Sequence, residues 1–273
     1  MEWIAHIFLI GLLVYTGICV LYFLFQEKFI FVPTWPHDTF SPKITTPAEE
    51  HLLATVHGGQ IHYLHLKVAK PRGLVFYLHG NTGSLRRWQF MAEEISSFGF
   101  DVVVMDYRGY GLSKGTKRES WMHRDAEMVF DEVVTGYTDL PVMIYGRSLG
   151  AGFATRLASR RRITALVLET PFSNLLDIAR HYLPFIPVSF LLRYHFRSDE
   201  YIRSVQSPIL ILHGTRDRIV PYSSALRLYR AARENQTIEM VTIVGGKHSD
   251  LNGYPLFHSR LAAFTDKWCG TAG

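Results

Sequence analysis

Pro141-Val142-Met143-Ile144-Tyr145-Gly146-Arg147-Ser148-Leu149-Gly150-Ala151-Gly152-Phe153 carries the strongest structural signal in this chain. The apolar run Val142 to Tyr145 has the length and composition of a buried strand, and the small residues after Ser148 suit the first turn of a closely packed helix. Between them a serine stands two residues from a glycine on either side. A serine at such a sharp strand-to-helix corner needs neighbours without bulk, because the backbone passes close to adjacent elements, and Gly146 and Gly150 meet that need. The helix starting at Leu149 aims free N–H groups and the positive end of its dipole at the hydroxyl, which favours negative charge developing there.

The pattern G-x-S-x-G occurs a second time, in Gly111-Leu112-Ser113-Lys114-Gly115. Its context differs. The apolar run Val102 to Met105 ends several residues earlier, and Thr116-Lys117-Arg118 follows where an apolar helix start would be required. Ser113 reads as a loop serine and Ser148 as the nucleophile.

Working outward, His51 to Val56 and Ile61 to Leu66 flank Gly58-Gly59 as a hairpin. Gly73 to His79, Val102 to Asp106, Ile163 to Leu168, Ile209 to Leu212 and Ile238 to Val244 are further short apolar strands. Helical stretches run from Ser84 to Phe98, from Glu119 to Gly136 and onward from Leu149. Short continuous apolar strands alternating with helices mean an α/β protein with a mostly parallel, eight-stranded sheet covered on both faces, only the opening hairpin being antiparallel.

The N-terminal stretch is of another kind. Trp3 to Phe25 carries no charge and, as a helix rising about 1.5 Å per residue, reaches about 34 Å, enough to cross a bilayer. Glu2 stands where a cleaved signal would carry basic residues, and bulky Tyr22-Phe23-Leu24-Phe25 where it would carry small ones, so an uncleaved anchor is expected. Trp3 and Tyr22 or Phe23 would lie at the two interfaces. Lys28 after the span favours a cytoplasmic catalytic domain by the positive-inside rule, while Asn235-Gln236-Thr237 would matter as a glycosylation sequon only in a lumen, and sidedness stays open. The organisation is an anchor at 1–28, a linker at 29–49 whose prolines from Pro33 to Pro47 lift the domain off the membrane, a catalytic domain at 50–268, and a tail at 269–273.

Composition narrows the function classes. With 273 residues, 48% of them hydrophobic, the chain buries one sizeable core. The net charge of +5, with clusters at Arg86-Arg87 and Arg160-Arg161-Arg162, favours anionic lipid headgroups, and no motif supports nucleic acid. Cys19 lies in the apolar span and Cys269 near the C-terminus, so no disulfide between them is expected. His62 and His65, three apart on a strand, point to opposite faces and make a poor chelate; no metal or cofactor is expected. The oligomeric state is not readable.

In an open α/β sheet, functional groups gather beyond the carboxyl ends of the strands. There lie His79-Gly80-Asn81-Thr82-Gly83, Ser148, His213-Gly214-Thr215-Arg216-Asp217 and Gly245-Gly246-Lys247-His248. A serine hydroxyl is a poor nucleophile until a base takes its proton, a histidine does so near neutral pH, and a carboxylate fixes its tautomer. Ser148, Asp217 and His248 occur in the order serine, acid, histidine that suits this architecture. Asp106 and Glu169, also at strand ends, are the rival acids and take structural roles; His79 and His213 begin turns, and His258 falls in the closing helix. The backbone N–H groups of Leu149 and Asn81, with Thr82 as substitute for the second, would form the oxyanion hole.

Together with Asp106-Tyr107-Arg108-Gly109-Tyr110-Gly111 and Val220-Pro221, these motifs resemble the α/β-hydrolase superfamily. Within it they look most like the membrane-anchored branch of lysophospholipid lipases and protein depalmitoylases. The resemblance covers about residues 50–268. It implies the α/β-hydrolase fold, a structural role for Asp106 and Arg108, and a cap inserted at about 171–206, where Phe172, Leu183, Phe185, Ile186 and Phe190 would wall the pocket. An apolar cap beside an anchor points to an acyl-chain substrate. The expected activity is hydrolysis of a lipophilic carboxylic ester. A protein S-acyl thioesterase would use the same residues, a serine peptidase lacks any domain gating peptides, and a non-catalytic interaction protein would need no triad.

Overall fold

The computed structural model describes residues 2–34, 40–232 and 237–270; Pro36 of the linker and the Asn235 sequon lie outside the described residues. The chain opens with α1 (Glu2–Ile30), β1 (Val32–Pro33), β2 (Ala48–Thr55), β3 (Gly59–Leu66), β4 (Leu74–Leu78) and β5 (Thr82–Gly83). Then come α2 (Leu85–Ser96), β6 (Asp101–Met105), α3 (Glu119–Val134), β7 (Val142–Arg147), α4 (Leu149–Ala158) and β8 (Ala165–Glu169). The cap insertion holds α5 (Leu175–Tyr182), α6 (Val188–Leu191) and α7 (Ser198–Tyr201). β9 (Ile209–Gly214), α8 (Tyr222–Ala231), β10 (Ile238–Ile243) and α9 (Pro255–Cys269) complete the fold.

Eight strands form one sheet in the order β10-β9-β8-β7-β4-β6-β3-β2. It is more mixed than the sequence reading allowed, because β3 runs antiparallel to β6 as well as to β2. The cause is the connection from β3 to β4, residues 67–73, which is too short for the helical crossover that a parallel return requires. From β6 through β4 to β10 all pairs are parallel.

The period-two alternation of strand side chains splits the core in two. In β4, Leu74, Phe76 and Leu78 join one cluster, with Phe130 of α3, Phe153 of α4 and Leu228 of α8. Val75 and Tyr77 join the other, with Trp88 of α2 and Phe264 of α9. Full burial of a side chain such as Phe153 contributes about 1.5–3 kcal/mol. The strand order reverses at β4, with β6 on one side and β7 on the other, and the crevice beyond their carboxyl ends is where a site belongs.

The linker departs from expectation. Val32–Pro33 pairs with Thr82–Gly83. The amides of Lys43 and Thr45 donate to Gln89 Oε1 and Glu93 Oε1 of α2. Its described residues strap α1 to the domain; they do not hold it away. Helix α1 reaches the fold unbroken, with Gln26 buried and Phe31, just past its end, in the core. It is long and apolar enough to cross a membrane.

Candidate active site

Ser148 sits between β7 and α4 at φ +53 and ψ −115, a conformation that costs a non-glycine residue about 1–3 kcal/mol. The surrounding packing holds it there. A Cβ at Gly146 would lie 2.6 Å from the Gly150 carbonyl oxygen, and one at Gly150 would collide with the Leu78 carbonyl of β4. The Ser148 amide donates to Glu169 O at 2.9 Å, tying the elbow to β8.

His248 Nε2 lies 3.0 Å from Ser148 Oγ and its Nδ1 lies 2.7 Å from Asp217 Oδ2. The other Asp217 oxygen accepts the amides of Ile219 and Val220, each at 2.8 Å. Burial pushes the Asp217 carboxyl up, but the hydrogen bond and charge of His248 and those two amides outweigh it and hold it below its ordinary value. An ionised carboxylate that accepts from Nδ1 leaves Nε2 free to take a proton from the serine. Arg147 steadies the arrangement, with Nη2 donating to His248 O at 3.3 Å and Nε 3.3 Å from Glu169 Oε1.

The remaining candidates are engaged elsewhere. Glu169 is held by Arg147 and Tyr145, and Asp106 Oδ1 accepts the Leu85 amide at 3.0 Å. Arg108 forms a buried two-pronged bond to Asp125. His79 Nδ1 is 2.7 Å from Gly80 O and His258 Nε2 is 2.6 Å from Asn252 O, while His213 Nε2 is 3.0 Å from Val220 O and also lies 3.4 Å from Asp217 Oδ2, beside the acid and away from Ser148. His62 pairs with Glu50 and His65 with Tyr137; among the described residues no cluster could hold a metal ion.

The Leu149 amide opens α4, where N–H groups lack an intrahelical partner. Asn81 is pinned through its carbonyl, which accepts from the Val32 amide at 2.9 Å and the Tyr110 hydroxyl at 2.7 Å. Asn81, Ser148 and Leu149 line one cavity together. Thr82 pairs with Val32 in β5, and its carbonyl is taken by Trp88 Nε1.

That cavity has a volume of about 820 Å³ and is walled by apolar side chains. Of the cap candidates, Phe172, Leu183 and Ile186 line it. Phe185 and Phe190 do not: they are 85% and 88% exposed and point outward, because the cap lays its other face on the cavity. The opposite wall is one the sequence reading missed. Ile18, Leu21, Tyr22, Phe25 and Phe29 of α1 face the cavity at helical spacing. No signal in the sequence marked that stripe, since a span that is apolar all round shows no preferred face.

Comparisons with known proteins find similar sequences and folds. The family model described as serine aminopeptidase, S33, matches residues 69–194, a range that includes Ser148 and stops short of Asp217 and His248. The lysophosphatidylserine lipase ABHD12 of Macaca fascicularis is 37% identical over 190 residues, covering 60% of this chain and 46% of that one. An uncharacterized protein of Mycobacterium tuberculosis, Rv2307c, is 35% identical over 179 residues, covering 64% of this chain and 63% of its own length. The chain spans about half the length of the curated lipases it matches. Among solved structures, the Pyrococcus furiosus esterase Pf2001 superimposes with a TM-score of 0.71 at 21% identity, over 88% of this chain and 100% of its own. Mouse alpha/beta hydrolase domain-containing protein 10 does so with a TM-score of 0.61 at 19% identity, over 80% and 97%. By motif, relatives and architecture, the chain has the α/β-hydrolase fold and is similar to members of that superfamily.

Proposed function

We propose that the protein is a membrane-anchored serine hydrolase that cleaves carboxylic esters of lipophilic substrates through an acyl-enzyme. The observation that carries the reading is His248 Nε2 at 3.0 Å from a Ser148 hydroxyl that opens into the apolar cavity. Ser148 Oγ attacks the ester carbonyl carbon while His248 Nε2 takes its proton, and the tetrahedral oxyanion is received by the amides of Leu149 and Asn81. Collapse expels the alcohol, protonated by His248; water then attacks the acyl-serine with His248 as base, releasing the carboxylic acid. Helix α1 is the anchor, and the acyl chain occupies the cavity.

Two observations favour a lipid ester. The cavity lining, among the described residues, includes no carboxylate to receive the ammonium group that an aminopeptidase substrate presents. Several of the related curated proteins are lipases of lysophosphatidylserine, itself a fatty-acyl ester.

A fluorophosphonate reagent is expected to label the wild-type protein and not Ser148→Ala. Turnover of p-nitrophenyl esters is expected to rise with chain length beyond acetate, and a lysophospholipid is expected to be hydrolysed faster than a palmitoyl thioester. Absence of labelling in folded wild type would refute the enzymatic reading; preference for the thioester would reassign the substrate.

A further inference from the structure

The cap and the anchor meet at a depth that matters. Tyr15 of α1 donates its hydroxyl to the carbonyl of Phe185 at 2.9 Å. Tyr15 precedes Phe25 by ten residues, about 15 Å along a helix, which is near the middle of the apolar span. A cap that rested on the membrane surface could not reach this point. If α1 crosses the bilayer, the cap tip lies within the hydrocarbon beside it.

The tip is built for that environment. Tyr182 to Leu192 carries no charge, with Arg180 before it and Arg193 after it. Backbone at membrane depth must satisfy its polar groups internally. Pro184 and Pro187 have no N–H to satisfy. The amides of Leu183, Ile186, Val188, Phe190 and Leu192 donate within the cap, to Ala179, Leu183, Ile186, Pro187 and Val188. At its base, Gln26 of α1 donates to Leu191 O and accepts the Arg193 amide, and Glu27 accepts from Arg193 and Tyr194. With these amides engaged, the tip turns Phe185 and Phe190 outward, more exposed than any other large apolar side chain of the described residues. In water they would be a liability; in acyl chains they are anchors.

We propose that the cap tip is immersed in the leaflet beside α1, and that the cavity takes the acyl chain of a bilayer lipid sideways, between α1 and the cap, without the chain crossing water. The cavity is walled by both elements, Leu21 and Phe25 on one side and Leu183 and Ile186 on the other, so an acyl chain between them remains in contact with apolar groups along its path to Ser148. Arg193, paired with Glu27 at the end of the span, then lies at headgroup level. The lateral route rests on the serine-hydrolase reading for the identity of the site; immersion of the tip does not.

The test uses the full chain in phosphatidylcholine vesicles, with Cys19 and Cys269 replaced by serine and a nitroxide attached at Phe185→Cys, Phe190→Cys or, as an aqueous control, Asp139→Cys. At the two cap positions the label is expected to be accessible to oxygen and shielded from a water-soluble nickel chelate, with the reverse at position 139. Free access of the chelate at both cap positions would overturn the proposal. In parallel, Phe185→Asp combined with Phe190→Asp is expected to lower hydrolysis of vesicle-borne long-chain lysophospholipid at least tenfold while leaving p-nitrophenyl acetate turnover unchanged. Equal rates on the vesicle substrate would also overturn the lateral route. Shielded cap labels in a wild type that hydrolyses no ester would remove the catalytic reading and leave the immersion standing.

Discussion

Two serines of this chain stand in the same five-residue pattern, and their surroundings have little in common. Ser113 is 4% exposed and Ser148 is 7% exposed, so burial does not separate them. The Ser113 hydroxyl donates to Asp106 O and accepts the His62 amide, both at 2.8 Å. Its neighbour Lys114 bridges to Gln60 at the start of β3. The Ser148 hydroxyl faces an imidazole on one side and a cavity on the other. A carbonyl oxygen cannot accept a proton at neutral pH and an imidazole can, so the first serine is a structural peg and the second has a base within hydrogen-bond reach. The motif identifies a corner; the partner of the hydroxyl decides its chemistry.

The sharpest way to break this contrast is substitution of both serines. Ser148→Ala is expected to lower ester turnover by about 10⁴-fold or more, with the folded protein unchanged in thermal melting. Ser113→Ala is expected to keep fluorophosphonate labelling and to lose stability by about 1–3 kcal/mol, the cost of leaving the buried His62 amide and Asp106 carbonyl without their partner. Urea unfolding with activity on the same samples checks both. Loss of labelling in Ser113→Ala with stability intact would reverse the assignment.

Next in size is Asp217→Asn, which keeps the shape of the acid and removes its charge. It is expected to lower kcat by about 10³–10⁴-fold with little change in KM, since the amide favours the wrong tautomer of His248. Steady-state kinetics on a short soluble ester measures it. A smaller effect is expected at the α1 wall, where Leu21→Trp fills part of the cavity. Selectivity for dodecanoyl over butyryl esters should fall by about 10–100-fold, equivalent to about 1–3 kcal/mol of lost accommodation. An unchanged chain-length profile would show that α1 does not bound the acyl site.

The mildest contrast is in pH. Burial first, and Lys67 second, push His65 down to about 4, and burial lowers His213 as well. Between the ordinary histidine value of about 6.5 and these lower native values, the unfolded chain binds protons that the native chain refuses. Stability is therefore expected to fall as pH drops from about 6.5 towards 4. Asp217, held below its ordinary value, adds stability that is full above about 3.9 and is lost as pH falls through its native value. Melting temperatures between pH 7 and 4 should decline for the wild type and decline less for His65→Gln, which keeps a partner for Tyr137 without a titrating ring. A flat wild-type profile would remove the buried histidines from the account.

Much of the fold was legible because local chemistry and tertiary outcome coincide in an α/β protein. The apolar run Val142 to Tyr145 is a strand wherever it is buried, Gly146 and Gly150 are needed by any chain that turns so sharply, and the order of Ser148, Asp217 and His248 follows from the order of the strands that carry them. Other readings failed where the decision lay in the direction of a side chain. Phe185 and Phe190 have the composition of pocket residues, yet the turn through Pro184 and Pro187 and the Tyr15 bond present them outward. The linker prolines looked like a spacer, but Lys43 and Thr45 found acceptors on α2.

Residue type and spacing over short stretches of chain were enough to mark the sheet of alternating strands and helices, the elbow, the three candidate reactive side chains and the apolar N-terminal helix. That one face of this helix walls the cavity above Ser148 emerges from the folded arrangement alone. A helix that is hydrophobic on every side carries no mark of which side will be used. That choice is made by distant contacts, Gln26 with Leu191 and Arg193 and Tyr15 with Phe185, which fix its rotation and depth against the cap.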